Sequence, residues 1–412
     1  RPLARVAHPV TRDFDLILFG ATGFTGRLVA DYIRRSGDAG LSSAGLRWAI
    51  AGRSRDKLEA LGLGVPIVVG DALDPAAVRQ LASRATAVCT TVGPYARYGS
   101  ELVAACAASG THYCDLTGEV QWMRRMIDAH HEQAQASGAR IVHTCGFDSI
   151  PSDLGTWATQ QAFIARFGYP ARKVTAVFGE QSGGLSGGTV ASGLQTAEEA
   201  TADQEVRRLL RNPYGLDPDP GAQRPAAPDD SGIGWEPHLK MFTVPFLMAG
   251  INTRVVRRAH ALAGLPWGAD FVYREVMSTP GSARGAAMAV GITAGLGAIA
   301  FAMSRPFLRK QVARRAPKPG EGPSAEVRER GHWKVRLVAE GEGDDTLLYT
   351  VSDRNDPGYG STSRMLGEAA MCLARDPLSS PGGVQTPSVA MAQPLVDRLR
   401  RAGLVFAEAE PR

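Results

Sequence analysis

Apolar runs and polar, helix-periodic stretches alternate regularly over the first 180 residues. The runs FDLILF (14–19), LRWAIAG (46–52), VPIVVGD (65–71), TAVCTTVGPY (86–95), HYCDLTG (112–118) and ARIVHTCGFDS (139–149) are apolar almost throughout, and each precedes a helical stretch. Strands of this kind are buried on both faces, so six strand–helix units predict a parallel sheet covered by helices. Right-handed crossovers then give a doubly wound α/β fold of Rossmann type.

The pattern changes after KVTAVFGE (173–180), one more strand candidate. SGGLSGGT (182–189) is a glycine-rich loop, and 189–212 reads as one helix stopped at Asn212-Pro213. Residues 212–238 are rich in Pro, Asp and Gly and predict a long surface excursion. Strands are expected at 271–278, 332–341 and 346–353, forming a mostly antiparallel sheet in a second, α+β domain. Helical periodicity returns at 363–376 and 389–403, and LVFAEAE (404–410) reads as a short strand.

One stretch breaks the amphipathic habit. GAAMAVGITAGLGAIAFAM (285–303) is uncharged for 19 residues and is followed by RPFLRKQVARR with Arg305, Arg309, Lys310, Arg314 and Arg315. Its length suffices to cross a bilayer, but Ala and Gly dominate, so insertion would be marginal. Three readings stay open: a tightly packed internal helix with a solvated basic flank, a surface helix touching lipid or a lipidic substrate, and a membrane span.

Composition adds exclusions. The chain is 44% hydrophobic and 21% charged with a net charge of +5, ordinary for a globular protein and too diffuse to imply nucleic acid. Five scattered cysteines lack any metal-ligand spacing, so no metal is expected. No secretory signal is read at the start, where RPLARVAHPVTRD predicts a loose lead-in. Together these predict a reduced, cytoplasmic protein.

The chemistry starts at GATGFTG (20–26), between the first strand and the first helix. Gly20 permits the tight turn, Gly23 lets a pyrophosphate approach the backbone, and Gly26 allows close helix–strand packing. The helix N-terminus offers N–H groups and partial positive charge to the phosphates. At the end of the second strand, where an NAD site places an acid, AGRSRDK puts Arg53 with Ser54 beside it. A guanidinium and a hydroxyl suit a 2′-phosphate, which predicts NADPH. The expected cofactor-binding residues are Gly20, Thr22, Gly23, Phe24, Thr25, Gly26, Arg53, Ser54, Asp71, Val92, Gly93 and Pro94. Later strand ends add DLTGE (115–119) and CGFDSIPSD (145–153), whose polar residues serve equally well as caps or turns. Tyr169 and Lys173 have the Tyr-xxx-Lys spacing of short-chain dehydrogenases, but Pro170 excludes the helix that pairing requires. His143 falls in a buried strand and reads as a core histidine.

FDLILFGATGFTG, AGRSRDKLEALG, TVGPYARYG, HYCDLTGE, CGFDSIPSDLG, GEAAMCLA and GGVQTP together resemble the saccharopine dehydrogenase-like oxidoreductases. The second half, including 251–262, 285–303 and PKPGEGPS (317–324), is most similar to trans-acting enoyl reductases serving polyketide synthases of actinobacterial cell-wall lipid synthesis. The resemblance implies a Rossmann domain over 12–178, an inserted α+β domain over 179–353, and a C-terminal segment, 354–412, returning to the first domain. It also implies hydride delivery from NADPH to the β-carbon of an α,β-unsaturated thioester, followed by protonation of the α-carbon. Tyr95, Tyr98, Asp148 and Ser149 are the candidate catalytic residues. The implied partners are a lipidic or carrier-bound acyl thioester, an acidic acyl carrier domain of a polyketide synthase, and a peripheral membrane contact. Reduction of an amino acid, imine or small carbonyl, or service as a lipid-associated nucleotide-binding scaffold, are the competing expectations.

Overall fold

The computed structural model describes residues 12–40, 42–182, 187–219, 221–315 and 322–409. The lead-in, the 183–186 part of the glycine-rich loop and the 316–321 stretch that holds most of PKPGEGPS lie outside the described residues.

The first half runs β1 (Phe14–Phe19), α1 (Phe24–Asp38), β2 (Trp48–Gly52), α2 (Arg55–Glu59), β3 (Ile67–Val69), α3 (Pro75–Ser83), β4 (Ala85–Thr90), α4 (Tyr95–Tyr98), α5 (Ser100–Ser109), β5 (His112–Cys114), α6 (Val120–Ser137) and β6 (Arg140–Val142). A wide helical turn, Ile150–Leu154, leads into α7 (Gly155–Phe167) and β7 (Lys173–Gln181). All six expected strands form, with their polar ends spilling into loops beyond the sheet. The middle comprises α8 (Gly187–Ala202), α9 (Gln204–Arg211), β8 (Gly234–Glu236), β9 (Met241–Pro245), α10 (Ala249–Leu262), β10 (Val272–Pro280), α11 (Ala283–Ser304) and α12 (Pro306–Arg315). The last part holds α13 (Ala325–Glu329), β11 (Trp333–Glu340), β12 (Thr346–Asp353), α14 (Thr362–Arg375), β13 (Gly383–Gln385), α15 (Pro387–Arg401) and β14 (Val405–Ala409).

Two seven-stranded sheets result. The first is wholly parallel, in the order β13-β6-β5-β4-β1-β2-β3. Its direction of winding reverses between β1 and β4, the place where α/β folds open a crevice beyond the strands' carboxyl ends. Leu16, Ile17 and Leu18 of β1 are fully buried, as two-sided covering requires. The second sheet runs β14-β12-β11-β7-β10-β9-β8 and is antiparallel except where β10 runs parallel to β7. β7 begins before the expected boundary at 178 yet is the central strand of this second sheet. The sequence alone does not show which sheet a late apolar strand will join.

The C-terminal segment serves both sheets. β13 extends the first sheet beside β6, whereas β14 pairs with β12 in the second. α14 packs against α1 through a buried network in which Tyr32 donates to Glu368 at 2.5 Å and Arg398 of α15 pairs with Glu368 and Asp376. The expected single helix at 189–212 is broken at Asp203, whose carboxylate caps α9 by accepting from Glu205 N. The 212–238 excursion is tied down, because Asp229 pairs with buried Arg254 and Asp230 with Arg274. His131 of α6 is half-buried and accepts from Val384 N at 3.1 Å.

The internal reading of 285–303 fails. Within α11 only Gly285 and Ala289 are buried, and Val290, Ile299 and Phe301 are each more than half exposed.

Candidate active site

The glycine loop behaves as its spacing requires. Gly20 takes φ +95°, a left-handed conformation costly for other residues. A Cβ on Gly26 would stand 2.1 Å from the Gly20 carbonyl oxygen, so α1 sits against the turn only because Gly26 has none. Gly23 differs, since an added Cβ would meet only the Gly20 carbonyl, at 3.4 Å. Gly23 also N-caps α1 without any side-chain hydrogen bond. The first-turn N–H groups therefore have no side-chain cap, and uncapped N–H groups at a helix start suit a phosphate.

β4 closes the other wall. Thr91 N donates to Phe19 O at 3.0 Å, and Thr91 Oγ1 to Gly20 O at 3.2 Å. Val92 and Pro94 are half-buried and Gly93 is exposed, in a bend whose Gly93-Pro94 bond is cis. At the end of β2, Arg53 is exposed and makes no hydrogen bond or ion pair among the described residues. Ser54 accepts from Lys57 N and so caps α2. Asp71, after β3, accepts from Leu73 N at 2.9 Å and holds its own turn.

Phe24, the first residue of α1, is where the second half meets the loop. Its ring packs edge-on to Tyr359 with centroids 4.7 Å apart, lies under the Arg328 guanidinium at 5.5 Å, and presses on Gly322. Tyr359 also accepts from Gly187 N at the start of α8, and Ser192 of α8 donates to Glu119 at 2.8 Å. α8 and the 357–361 turn therefore border the crevice. No spacing in the sequence pointed to Ser192, Arg328 or Tyr359.

The acids of DLTGE are structural. Asp115 is fully buried and accepts from Tyr113 OH, Thr117 N and Thr144 N, and hydrogen-bonds His143 Nδ1 at 2.7 Å. Glu119 accepts Tyr95 N and Ala96 N, each at 2.8 Å, and so caps α4. Burial pushes its carboxyl up, and the bonds from Ala96, Tyr95 and Ser192 oppose that shift. Tyr169 lies in the α7–β7 turn bonded to Asp345, and Lys173 pairs with Glu340, so the two do not form a catalytic pair.

The four candidate catalytic residues have different surroundings. Tyr95 is buried, and its hydroxyl donates to Thr90 O and accepts from Leu116 N. Burial pushes this phenol well above its ordinary range. Ser149 is fully buried, and its hydroxyl donates to Asn252 Oδ1 of α10. Both hydroxyls are engaged in hydrogen bonds within the fold. Tyr98 is half-buried, with the Arg97 guanidinium 5.1 Å from its ring centroid. Asp148 is partly exposed, without any hydrogen bond or ion pair among the described residues, and desolvation raises its pKa to about 6.

The turn that presents Asp148 is held from three sides. Cys145 N donates to Asp115 O, Phe147 N to Thr362 Oγ1, and Ser149 to Asn252. Ser149 itself sits at φ +90°, a strained conformation for a residue with a Cβ. Two neighbouring acids are fully engaged: Asp153 accepts from Ser388 N and Oγ, and Glu275 from Asn252 and Tyr273. Among the described residues no His, Cys, Asp and Glu cluster is arranged to hold a metal.

Residues 16–142 match the model of the saccharopine dehydrogenase NADP binding domain. The fold and crevice thus define an NADP-dependent oxidoreductase of the saccharopine dehydrogenase type. Apo saccharopine dehydrogenase (L-Glu forming) from Saccharomyces cerevisiae shares the architecture at a TM-score of 0.51, covering 96% of this chain and 99% of that one at 12% identity. Two sequence relatives sharpen the class. A Mycobacterium tuberculosis protein provisionally named trans-acting enoyl reductase is 42% identical over 95% of this chain and 97% of its own. The trans-acting enoyl reductase of Mycobacterium ulcerans is 39% identical over 96% and 98%. The chain belongs to the trans-acting enoyl reductase family.

Proposed function

We propose that this oxidoreductase reduces the α,β double bond of an acyl thioester carried by a separate synthase, with Asp148 as the proton donor. The observation that carries the assignment of Asp148 is a partly exposed, unpaired carboxyl raised to about 6 on a strained turn at the carboxyl end of β6. A general acid is most effective with a pKa near the working pH.

The residues fit NADPH. Gly23 leaves the backbone open for the pyrophosphate, the uncapped α1 offers N–H donors, and unpaired Arg53 with Ser54 would hold the 2′-phosphate. Bound there, NADPH supplies the hydride that adds to the β-carbon. Asp148 then gives its proton to the α-carbon and is recharged from water. Asn252, Thr362 and Asp115 keep its turn in place through the three hydrogen bonds described above. The names of the relatives support action in trans, with the acyl chain presented on a carrier domain. Thus the expected substrate is hydrophobic and tethered.

Consumption of NADPH with an enoyl thioester, first crotonyl-pantetheine and then longer chains, tests this reading. Turnover should require the double bond and rise with chain length. Turnover confined to imines, amino acids or small carbonyl compounds would overturn it.

A further inference from the structure

We propose that α11 and α12 form a monotopic docking element that lies in the surface of an anionic lipid membrane. The inference rests on the shape and charge of this element and not on the reductase chemistry.

α11 has 22 residues, and its most apolar 18-residue stretch has a mean hydropathy of 1.9, yet only 6% of that stretch is buried. Met288, Val290, Ile299 and Phe301 are exposed along it, and Phe307 of α12 is 71% exposed. From Met288 to Phe301, on two sides of α11, these apolar side chains are spread over about 20 Å at the rise of an α-helix. So large an exposed apolar surface marks a binding face. Trp235 is 49% exposed at the foot of the helix, its ring close enough that a Cβ on Gly281 would lie 3.0 Å from it. Tryptophan favours the headgroup boundary, where its ring is apolar and its N–H stays hydrated.

Charge selects the occupant. Residues 283–315 contain Arg284, Arg305, Arg309, Lys310, Arg314 and Arg315 and no acid, against a whole-chain net charge of only +5. The excess positive charge of the molecule is therefore confined to this element. A basic flank beside an apolar helix complements anionic headgroups above acyl chains. A second copy fits poorly. Parallel pairing would set 305–315 against itself, antiparallel pairing would set it against Arg284, and neither brings an acid to the contact.

Attachment selects lying over crossing. At its start α11 is fixed to β10, because Ser282 caps Gly285 N and Thr279 donates to Gly285 O at 2.8 Å. After its end, α12 returns to the same body, where Arg309 donates to Ala197 O and Thr201 Oγ1. A helix tied at both ends to one side of one folded body cannot cross a bilayer, but it can sink into one leaflet.

The test is flotation of the full chain with vesicles of phosphatidylcholine, with and without phosphatidylglycerol, at low and high salt. The protein should float with the anionic vesicles and leave them at high salt. The triple change Arg305→Gln, Lys310→Gln and Arg314→Gln, and separately Ile299→Ser, Phe301→Ser and Phe307→Ser, should each lower the bound fraction by roughly tenfold or more. NADPH binding, unchanged in both variants, shows that they fold. Wild-type protein left unbound with anionic vesicles would overturn the proposal. So would flotation that survives both triple changes. A dimer dispersed by the serine variant, without vesicle binding, would assign the face to a second copy. Loss of carrier-linked turnover in the glutamine variant, without vesicle binding, would assign it to an acidic carrier domain.

Discussion

At the scale of residues, the three glycines of one motif carry three separate demands, and the structure makes them separable. Gly26→Ala drives a methyl to 2.1 Å from a backbone oxygen, so overpacking should cost about 1–3 kcal/mol and lower the Tm as well as NADPH affinity. Gly23→Ala meets nothing closer than 3.4 Å. It should fold with nearly unchanged Tm and lose NADPH binding, measurable by fluorescence titration. Asp148 invites a kinetic test. Its pKa is raised from 3.8 to about 6 by desolvation, so the protonated carboxyl that the proposed donation needs is present below that value and lost above it. The kcat/KM for an enoyl thioester should fall as pH rises through about 6. Asp148→Asn should lower kcat by about 10²–10⁴-fold, remove that limb of the profile and leave NADPH affinity unchanged. The glycine roles were legible because local chain geometry sets two of them. The isolation of Asp148 was not, since it depends on which distant groups fail to reach it.

At the scale of elements, the turn from β2 to α2 is where the proposed choice between cofactors is tested. Arg53 is exposed and unpaired at the sheet's carboxyl edge, and Ser54 begins the helix. Arg53→Ala should raise the dissociation constant for NADPH by about tenfold or more, the worth of a charge-assisted hydrogen bond, and leave NADH binding unchanged. An equal loss for both would assign Arg53 to structure. Elsewhere, element existence was readable while membership was not. β7 and β14 have the apolar patterns of strands, but the second sheet claims them through pairings 53 or more residues away with β10, β11 and β12. α8 and α9 read as one helix because their residues share a period, yet Asp203 stops one and caps the other. α11 is the opposite case: its all-round apolar composition favoured burial, and the fold left it at the surface.

At the scale of the whole molecule, the two sheets are stitched by buried polar groups that titrate. Glu275 on β10 accepts from Asn252 and Tyr273, and Asp153 at the head of α7 holds the start of α15. Burial raises both from ordinary carboxylate values to about 7. A folded-state pKa above the unfolded one means that the native protein holds its proton more tightly between about pH 4 and pH 7. Stability from these groups is therefore full below the unfolded value and lost as pH rises through about 7. The Tm should decline from pH 5 to pH 8. Glu275→Gln, which keeps an acceptor for Tyr273, should flatten that decline, and an unchanged slope would remove Glu275 from the account.

The sequence by itself determined the parallel sheet, the tight glycine turn before α1 and an NADP(H)-type cofactor. These are local properties: two-residue and 3.6-residue periods, a backbone that must lack Cβ atoms, and a cation in place of an acid. Only the tertiary structure decided that the Tyr95 and Ser149 hydroxyls are hydrogen-bonded within the fold and Asp148 unpaired. It also decided that Phe24 is enclosed by Arg328 and Tyr359, and that α11 faces outward. Those outcomes depend on contacts between residues far apart in the chain, where burial and hydrogen bonding are settled by which elements meet.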